Sequence, residues 1–208
     1  PTRITMPARA GPIIRFINKG ERGFCALFEK AIKTCDADSV VLDIGANHGV
    51  YGVWAATQGC RVFMFEPQPS CHPSITASMC ANAPYRHPPT LVMQPVMSNL
   101  SATLSVSSNS NCAGVFGAYK TLQSARLHAS HVEVNGANVL KLVGDAQIAF
   151  MKIDVEGGEL DVLAHVIPLF EAKKVRTAII EVTTRFWEQR GTSRETAWSV
   201  IKRVHDAG

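Results

Sequence analysis

The sequence lacks long apolar runs and clusters of basic residues. No apolar stretch in its 208 residues reaches the roughly 18 residues that a membrane-spanning helix needs, and no charged segment followed by an apolar one is typical of a secretory signal. The 21 basic and 17 acidic residues, which give a net charge of +4, are spread along the chain. We therefore expect a soluble protein whose partners are neither nucleic acids nor membranes.

Spacings typical of metal-binding cysteines are also missing. The six cysteines form no C-x-x-C pair and no Cys/His pattern suited to zinc. Most of them fall in predicted helices or strands, so we predict that they are reduced and structural, which favours a reducing, cytoplasmic location. A disulfide such as Cys71–Cys80 is the alternative.

Internal repeats and low-complexity tracts are absent too. The length and the 46% apolar content fit one globular domain. The first dozen residues carry three prolines and no acid, so we expect residues 1–19 to be a linker or an N-terminal extension and residues 20–208 to form the domain.

The chain does contain short apolar runs that alternate with helical patterns. Runs without polar alternation are typical of strands buried on both faces of a parallel sheet, here at 40–44, 61–66, 148–153 and 175–182. Apolar residues at helical spacing predict helices at 20–33, 50–57, 70–81, 160–170 and 193–205. The pattern predicts a doubly wound α/β fold, with a mostly parallel sheet and helices on both faces.

The region between the second and fourth of these strands departs from simple alternation. Pro95 predicts that the strand at 91–97 lies at an edge or contains a bulge. A half-exposed antiparallel strand is predicted at 102–107, and the pair Asn135-Gly136 predicts a hairpin turn within 132–143.

A glycine-rich loop follows the first predicted strand. Gly45, Gly49 and Gly52 are spaced G-x-x-x-G-x-x-G, unlike the dinucleotide pattern G-x-G-x-x-G. Glycine permits a sharp turn close to a ligand, and the following helix N-terminus offers N–H groups to a carboxylate. Asp43 can hold an ammonium group, and Glu66 can accept hydrogen bonds from two ribose hydroxyls. These features suit S-adenosylmethionine; a plain tight turn with a surface Glu is the alternative.

Charged residues cluster after the strand at 148–153. If the first and fourth core strands are neighbours, Asp154 lies beside the glycine loop. A carboxylate there can orient an acceptor hydroxyl or take its proton, so Asp154, Glu156 and Lys152 are the predicted catalytic residues. The alternative is that the two acids cap the next helix and pair with Lys152. Glu159, in the first helical turn, is expected to be structural.

No metal is predicted, although one set of ligands is conceivable. Glu181 could join Asp154 and Glu156 in a carboxylate cluster that suits Mg²⁺. The alternative for Glu181 is an ion pair with Arg185.

Two histidines and two aromatic residues are weaker candidates. His48 and His72 could act as bases but are more often polar loop residues. Phe186 and Trp187 could line the acceptor pocket or belong to the core.

Three segments carry a resemblance to a known family. The stretches D-I-G-A-N-H-G, F-E-P-Q-P and F-M-K-I-D-V-E-G-G-E-L resemble the FkbM family of methyltransferases, over about residues 39–182. The resemblance implies a class I methyltransferase fold, S-adenosylmethionine as methyl donor, and usually a hydroxyl acceptor on a sugar or natural product. The predicted cofactor-binding set is Asp43, Gly45, Ala46, Asn47, Gly49, Glu66, Ser98 and Asp154; Ser98 and the neighbouring Asn99 follow the third strand, where such enzymes commonly contact adenine.

Two departures from the family pattern leave alternatives open, and the first is that the family usually has a longer, Asn-containing helix after the F-E-P segment. The antiparallel hairpin that normally completes the family's sheet has no counterpart before Gly208, so the chain is a fragment or its sheet edge is finished differently. A non-catalytic module that binds the nucleoside is the second functional hypothesis. A nicotinamide-dependent oxidoreductase is a third, which the glycine spacing disfavours.

Overall fold

The computed structural model describes residues 22–97, 101–107, 112, 129–189 and 191–207. The helices in chain order are α1 Arg22–Ile32, α2 Val50–Thr57, α3 His72–Ala81, α4 Val139–Val143, α5 Glu159–Glu171, α6 Thr184–Gln189 and α7 Arg194–Ala207. The strands are β1 Ser39–Ile44, β2 Arg61–Phe65, β3 Thr90–Val92, β4 Ser101–Ser107, β5 Ala129–Asn135, β6 Gln147–Ile153 and β7 Ala178–Ile180. The predicted N-terminal extension, 1–19, lies outside the described residues.

Five strands form one parallel sheet in the order β3-β2-β1-β6-β7. The fold class predicted from the alternating pattern is confirmed, and so is the adjacency of the first and fourth core strands, because β1 pairs with both β2 and β6. Among the described residues no strand pairs with the outer edge of β7. Within the same residues, no helix is long and apolar enough to cross a bilayer.

The sheet is buried on both faces, which is why its central strands are continuous apolar runs. Successive side chains of a strand point to opposite faces. Val41 accordingly packs in the core with Phe28 of α1, whereas Leu42 packs in the other core with Leu163 of α5. Because all five strands are parallel, their carboxyl ends meet at one edge of the sheet.

The insert between β3 and β6 differs in part from the prediction. β4 pairs with β5 in a separate antiparallel ribbon, and β3 is an edge strand. The hairpin turn predicted at Asn135-Gly136 is wrong. The chain instead continues through a parallel bridge between Ala137 and Val96 into α4, because burial of these residues against the sheet outweighs the local turn preference.

Four cysteines form two disulfides, Cys35–Cys60 and Cys71–Cys112. The prediction that all six are reduced is therefore wrong, and the alternative pair with Cys80 is wrong as well. The partners are 25 and 41 residues apart, so only the tertiary fold brings them together. This finding removes the argument by which the sequence favoured a reducing compartment.

Candidate functional site

The glycine loop lies where β1 ends against the end of β6. Gly45 has a φ of 80°, and a Cβ at this position would lie 1.7 Å from the backbone oxygen of Asp154. The backbone N–H of Asp154 donates to the Ile44 carbonyl over 3.0 Å. The two corners predicted to converge, 43–49 and 152–156, are therefore in direct contact, and only glycine permits that contact.

Asp43 is buried beneath this loop. One carboxylate oxygen, Oδ2, accepts the N–H of Gly52 over 2.9 Å, which ties the start of α2 to the strand. The other oxygen, Oδ1, has no hydrogen-bond partner among the described residues. Burial raises the pKa of Asp43, against the opposing effects of Lys152 and the Gly52 N–H. Oδ1 faces the Lys152 ammonium group 3.6 Å away without a hydrogen bond, which leaves a place for a further donor.

Lys152 is a buried cation that joins the loop to the β6 corner. Its Nζ donates to the Gly45 carbonyl over 2.9 Å, and it lies 3.0 Å from Asp154 Oδ2 and 3.6 Å from Asp43 Oδ1. Burial acts to lower the pKa of Lys152, but the charges of Asp154 and Asp43 raise it overall. The ammonium group is thus held in its charged form at the centre of the site.

Asp154 is paired with Lys152, as the alternative interpretation of this cluster proposed. The capping part of that alternative is wrong, because α5 begins at Glu159 and its N-cap is Gly158. Partial burial acts to raise the pKa of Asp154, yet the ammonium group of Lys152 and the hydrogen bond from Glu181 lower it. Asp154 is therefore an ionised acceptor of hydrogen bonds.

Asp154, Glu156 and Glu181 form the predicted carboxylate cluster, each with an oxygen within 4.8 Å of the others. Partial burial of its carboxyl group, together with the hydrogen bond to Asp154 and that residue's charge, raises the pKa of Glu181 to about 8. Glu156 has a φ of 51°, a left-handed conformation that is uncommon for this residue type. Exposed acids commonly cluster without an ion, and Lys152 already balances the charge of Asp154.

Glu66 is buried, and both of its carboxylate oxygens accept backbone N–H groups. Oε2 accepts from Asn47 over 2.8 Å and Oε1 from Gln68 over 2.9 Å. Burial raises the pKa of Glu66 to about 7, while the two N–H groups act to lower it. Glu66 therefore holds the glycine loop through the Asn47 N–H, a contact that the sequence did not predict.

The two candidate histidines have structural hydrogen bonds. His48 is buried, and its Nδ1 lies 2.7 Å from the Ser74 hydroxyl, so it joins the loop to α3. Burial lowers the pKa of His48. His72 Nε2 lies 2.7 Å from the Glu66 carbonyl oxygen. These contacts place both rings around the loop without requiring a role as bases.

Glu159 is structural, as expected. Its fully buried carboxylate accepts the Gly157 N–H, the Thr183 hydroxyl and the Trp187 indole N–H over 2.7, 2.9 and 2.7 Å. Trp187 is buried and belongs to this network rather than to an open pocket wall.

Four predicted residues are not described. Ser98 and Asn99, the candidates for adenine contact, lie outside the described residues, as do the side chains of Arg185 and Phe186. One residue that the sequence did not single out is Cys112, whose Sγ lies 3.5 Å from Asn47 Oδ1. No local spacing could have revealed it, because it reaches the loop from an insert 65 residues away.

Comparison with known proteins gives one family. A family model described as the methyltransferase FkbM domain matches residues 43–205, from the end of β1 into α7. No curated protein and no solved structure matches the chain.

Proposed function

We propose, from the premise that this chain belongs to the FkbM methyltransferase family, that it transfers a methyl group from S-adenosylmethionine to a hydroxyl group of a small molecule or glycan. The observation that carries the proposal is the direct contact between the glycine loop and the Lys152–Asp154 corner at the carboxyl edge of the sheet. Ligands of doubly wound folds bind at this edge, where neighbouring crossovers diverge.

The residues at this edge fit S-adenosylmethionine. Asp43 Oδ1 is a buried acceptor without a hydrogen-bond donor among the described residues, which suits the ammonium group of the methionine moiety. The backbone at Gly45 leaves no room for a side chain, so the glycine loop packs directly against the backbone of Asp154. When bound, the cofactor supplies an electrophilic methyl group on a sulfonium centre.

We keep as a proposal the cofactor-binding set named from the sequence, of which Asp154 contacts the glycine loop and Ser98 lies outside the described residues. Asp43, Gly45, Ala46, Asn47 and Gly49 lie in or beside the loop, with Glu66 beneath it. A ribose-binding role for Glu66 is compatible with its contacts, since each carboxylate oxygen has a second lone pair, and it requires that the buried carboxylate become accessible to the hydroxyls.

The charges of the cluster suit an acceptor hydroxyl. Methyl transfer is an in-line displacement, so much of the rate can come from holding the acceptor oxygen about 3–3.5 Å from the methyl group. Asp154, kept ionised and oriented by Lys152, can accept a hydrogen bond from that hydroxyl and take its proton. Glu156 is the second candidate for this role.

The experiment is a methyl-transfer assay with labelled S-adenosylmethionine and a panel of sugars and small hydroxyl compounds, under metal-replete conditions. We expect a labelled product and S-adenosylhomocysteine in equal amounts. Binding of the cofactor without turnover on the panel would favour the non-catalytic module, and preferential thermal stabilisation by a nicotinamide dinucleotide would favour the oxidoreductase.

Two substitutions test the assigned roles. Asp154→Asn should lower kcat by roughly 10²–10⁴-fold with the affinity for S-adenosylhomocysteine changed much less, and Glu156→Gln tests the second candidate in the same way. Asp145→Asn is the matched control, because Asp145 precedes β6 at the opposite end of the strand and forms an ion pair with Lys174, away from the site. Full turnover by both site variants would retire the general-base assignment.

A further inference from the structure

The Cys71–Cys112 disulfide lies beside the nucleoside end of the proposed cofactor site. Cys71 is fully buried and immediately precedes α3, five residues after Glu66. Its partner Cys112 contacts the amide oxygen of Asn47 in the glycine loop. The disulfide therefore ties the start of α3 to Cys112 of the insert, whose sulfur touches the loop that follows β1.

The contacts around this disulfide form a closed ring. Asn47 and Gln68 each donate a backbone N–H to one oxygen of the Glu66 carboxylate. The N–H of Cys71 donates to the Gln68 carbonyl over 3.0 Å, Cys71 is bonded to Cys112, and Cys112 lies against Asn47. Every link but one is a hydrogen bond or a van der Waals contact, so the disulfide is the only covalent closure of the ring.

We propose that the Cys71–Cys112 disulfide is a positioning element of the nucleoside site, which keeps Asn47 of the glycine loop beside the Glu66 carboxylate, so that exposure of the carboxylate is the one change that ribose binding still requires. The inference rests on the proposed function, because that function makes Glu66 the ribose ligand. A loop and a carboxylate that are ordered before binding lose less conformational entropy when the ligand arrives. Opening the ring should therefore weaken cofactor binding.

The second disulfide provides an internal control. Cys35 and Cys60 precede β1 and β2, so this bond lies at the amino end of the sheet. The Cys60 sulfur lies 3.5 Å from the Ile32 carbonyl oxygen, at the end of α1. Loss of this bond should lower stability, as loss of the first one does, with no effect on the cofactor loop.

The experiment compares two double variants, Cys71→Ser/Cys112→Ser and Cys35→Ser/Cys60→Ser, with the wild type. Calorimetry measures the Kd for S-adenosylhomocysteine, and thermal unfolding measures the Tm. Both double variants should have a lower Tm, but only the first should have a Kd raised by about tenfold. The single variant Cys112→Ala keeps Cys71 as a buried thiol. It should show the same tenfold rise in Kd, and it replaces the double variant if that protein does not fold.

A reversible measurement completes the test. In the Cys35→Ser/Cys60→Ser protein, dithiothreitol cleaves the remaining disulfide: two thiols form on the protein, and the dithiol is oxidised to its cyclic disulfide. The Kd should rise on reduction and return to its first value on reoxidation.

The outcomes separate this inference from the proposed function. Tight binding of S-adenosylhomocysteine by the wild type, with an unchanged Kd in Cys112→Ala and in the reduced protein, would overturn the positioning role alone. An equal loss of affinity in both double variants would overturn it as well. A wild type that does not bind S-adenosylhomocysteine would overturn the proposed function and this inference with it.

Discussion

The two ends of the parallel sheet treat charge in opposite ways. At the amino end, the Cys35–Cys60 disulfide joins the segments that precede β1 and β2, and the ion pair between Arg176 and Asp36 is exposed to water. At the carboxyl end, ionisable side chains are buried, namely Asp43, Glu66 and Lys152. The charges at the amino end remain solvated by water, whereas those at the carboxyl end are buried, where desolvation opposes the ionised form.

The difference supports the site proposed at the carboxyl edge of the sheet. Burying an ionised group is unfavourable unless it is paired, so the concentration of such groups at one edge of the sheet favours a binding site there. The pKa values of Glu66 and Glu181 are raised to about 7 and about 8 there. Strongly perturbed carboxyl groups are typical of binding and catalytic sites.

The largest expected effect comes from removing the central cation. Lys152→Met should lower the free energy of unfolding by about 3–5 kcal/mol, because it leaves Asp43 without its buried counter-charge. The control Arg176→Met removes the exposed pair at the amino end and should lower it by at most about 1 kcal/mol. Urea denaturation of both variants measures the difference, and equal losses would show that the contrast between the two ends is not energetic.

A smaller effect is expected from the glycines. Gly45→Ala would place a Cβ 1.7 Å from a backbone oxygen, and we expect a loss of about 3 kcal/mol from overpacking together with the left-handed φ. Gly59→Ala, with a φ of 89° and no atom nearer than 3.7 Å, should lose only about 1 kcal/mol from backbone strain. Denaturation and S-adenosylhomocysteine affinity are measured together, and Gly45→Ala alone should lose affinity. A Gly59→Ala protein that is equally impaired would contradict the steric argument.

The smallest effect is a pH dependence with opposite signs at the two ends. In the folded protein burial raises the pKa of Glu66 from 4.5 to about 7, so between these values the folded state binds more protons than the unfolded chain. The free energy of unfolding should then fall by roughly 2 kcal/mol as the pH rises from about 5 to about 7. Asp36 acts in the other direction, because hydrogen bonds from Arg176 and Ser39 lower its pKa, and its contribution is lost as the pH falls.

Glu66→Gln tests this assignment. Urea denaturation at pH 5 and pH 7 should show a flatter dependence than in the wild type, with the residual slope of the same sign arising from Glu181. Glu29→Gln, on the exposed face of α1, is the control for the substitution itself. A Glu66→Gln protein with the wild-type slope would assign the titration to another group.

The parts of the fold that were predicted are those for which local sequence and burial agree. The apolar run of β1 and the glycines that follow it are demanded by burial on both faces and by a φ that other residues avoid. The turn predicted at Asn135-Gly136 was wrong, because this dipeptide only favours a hairpin turn locally. The bridge between Ala137 and Val96 outweighs that local preference. The helix α6, which includes the buried Trp187, was missed since six residues carry too little periodicity.

The site divides in the same manner. Residue types placed Asp43, Glu66 and Asp154 at strand ends, and the parallel topology brought those ends to one edge. The sequence did not show which carboxylate oxygen accepts which N–H, or that Asp154 is paired with Lys152 and is not an isolated base. These contacts depend on distances between segments about 100 residues apart, as in the contact between Lys152 and Gly45.

The amino-acid sequence by itself determined the α/β class, the glycine loop and the family, because hydrophobic periodicity, backbone sterics and the order of motifs are properties of neighbouring residues. The tertiary structure alone decided the two disulfides, the buried Lys152 between two aspartates, and the ring around Glu66. Those features are contacts between buried side chains that are far apart in the sequence, and no local spacing of residues predicts which of them meet.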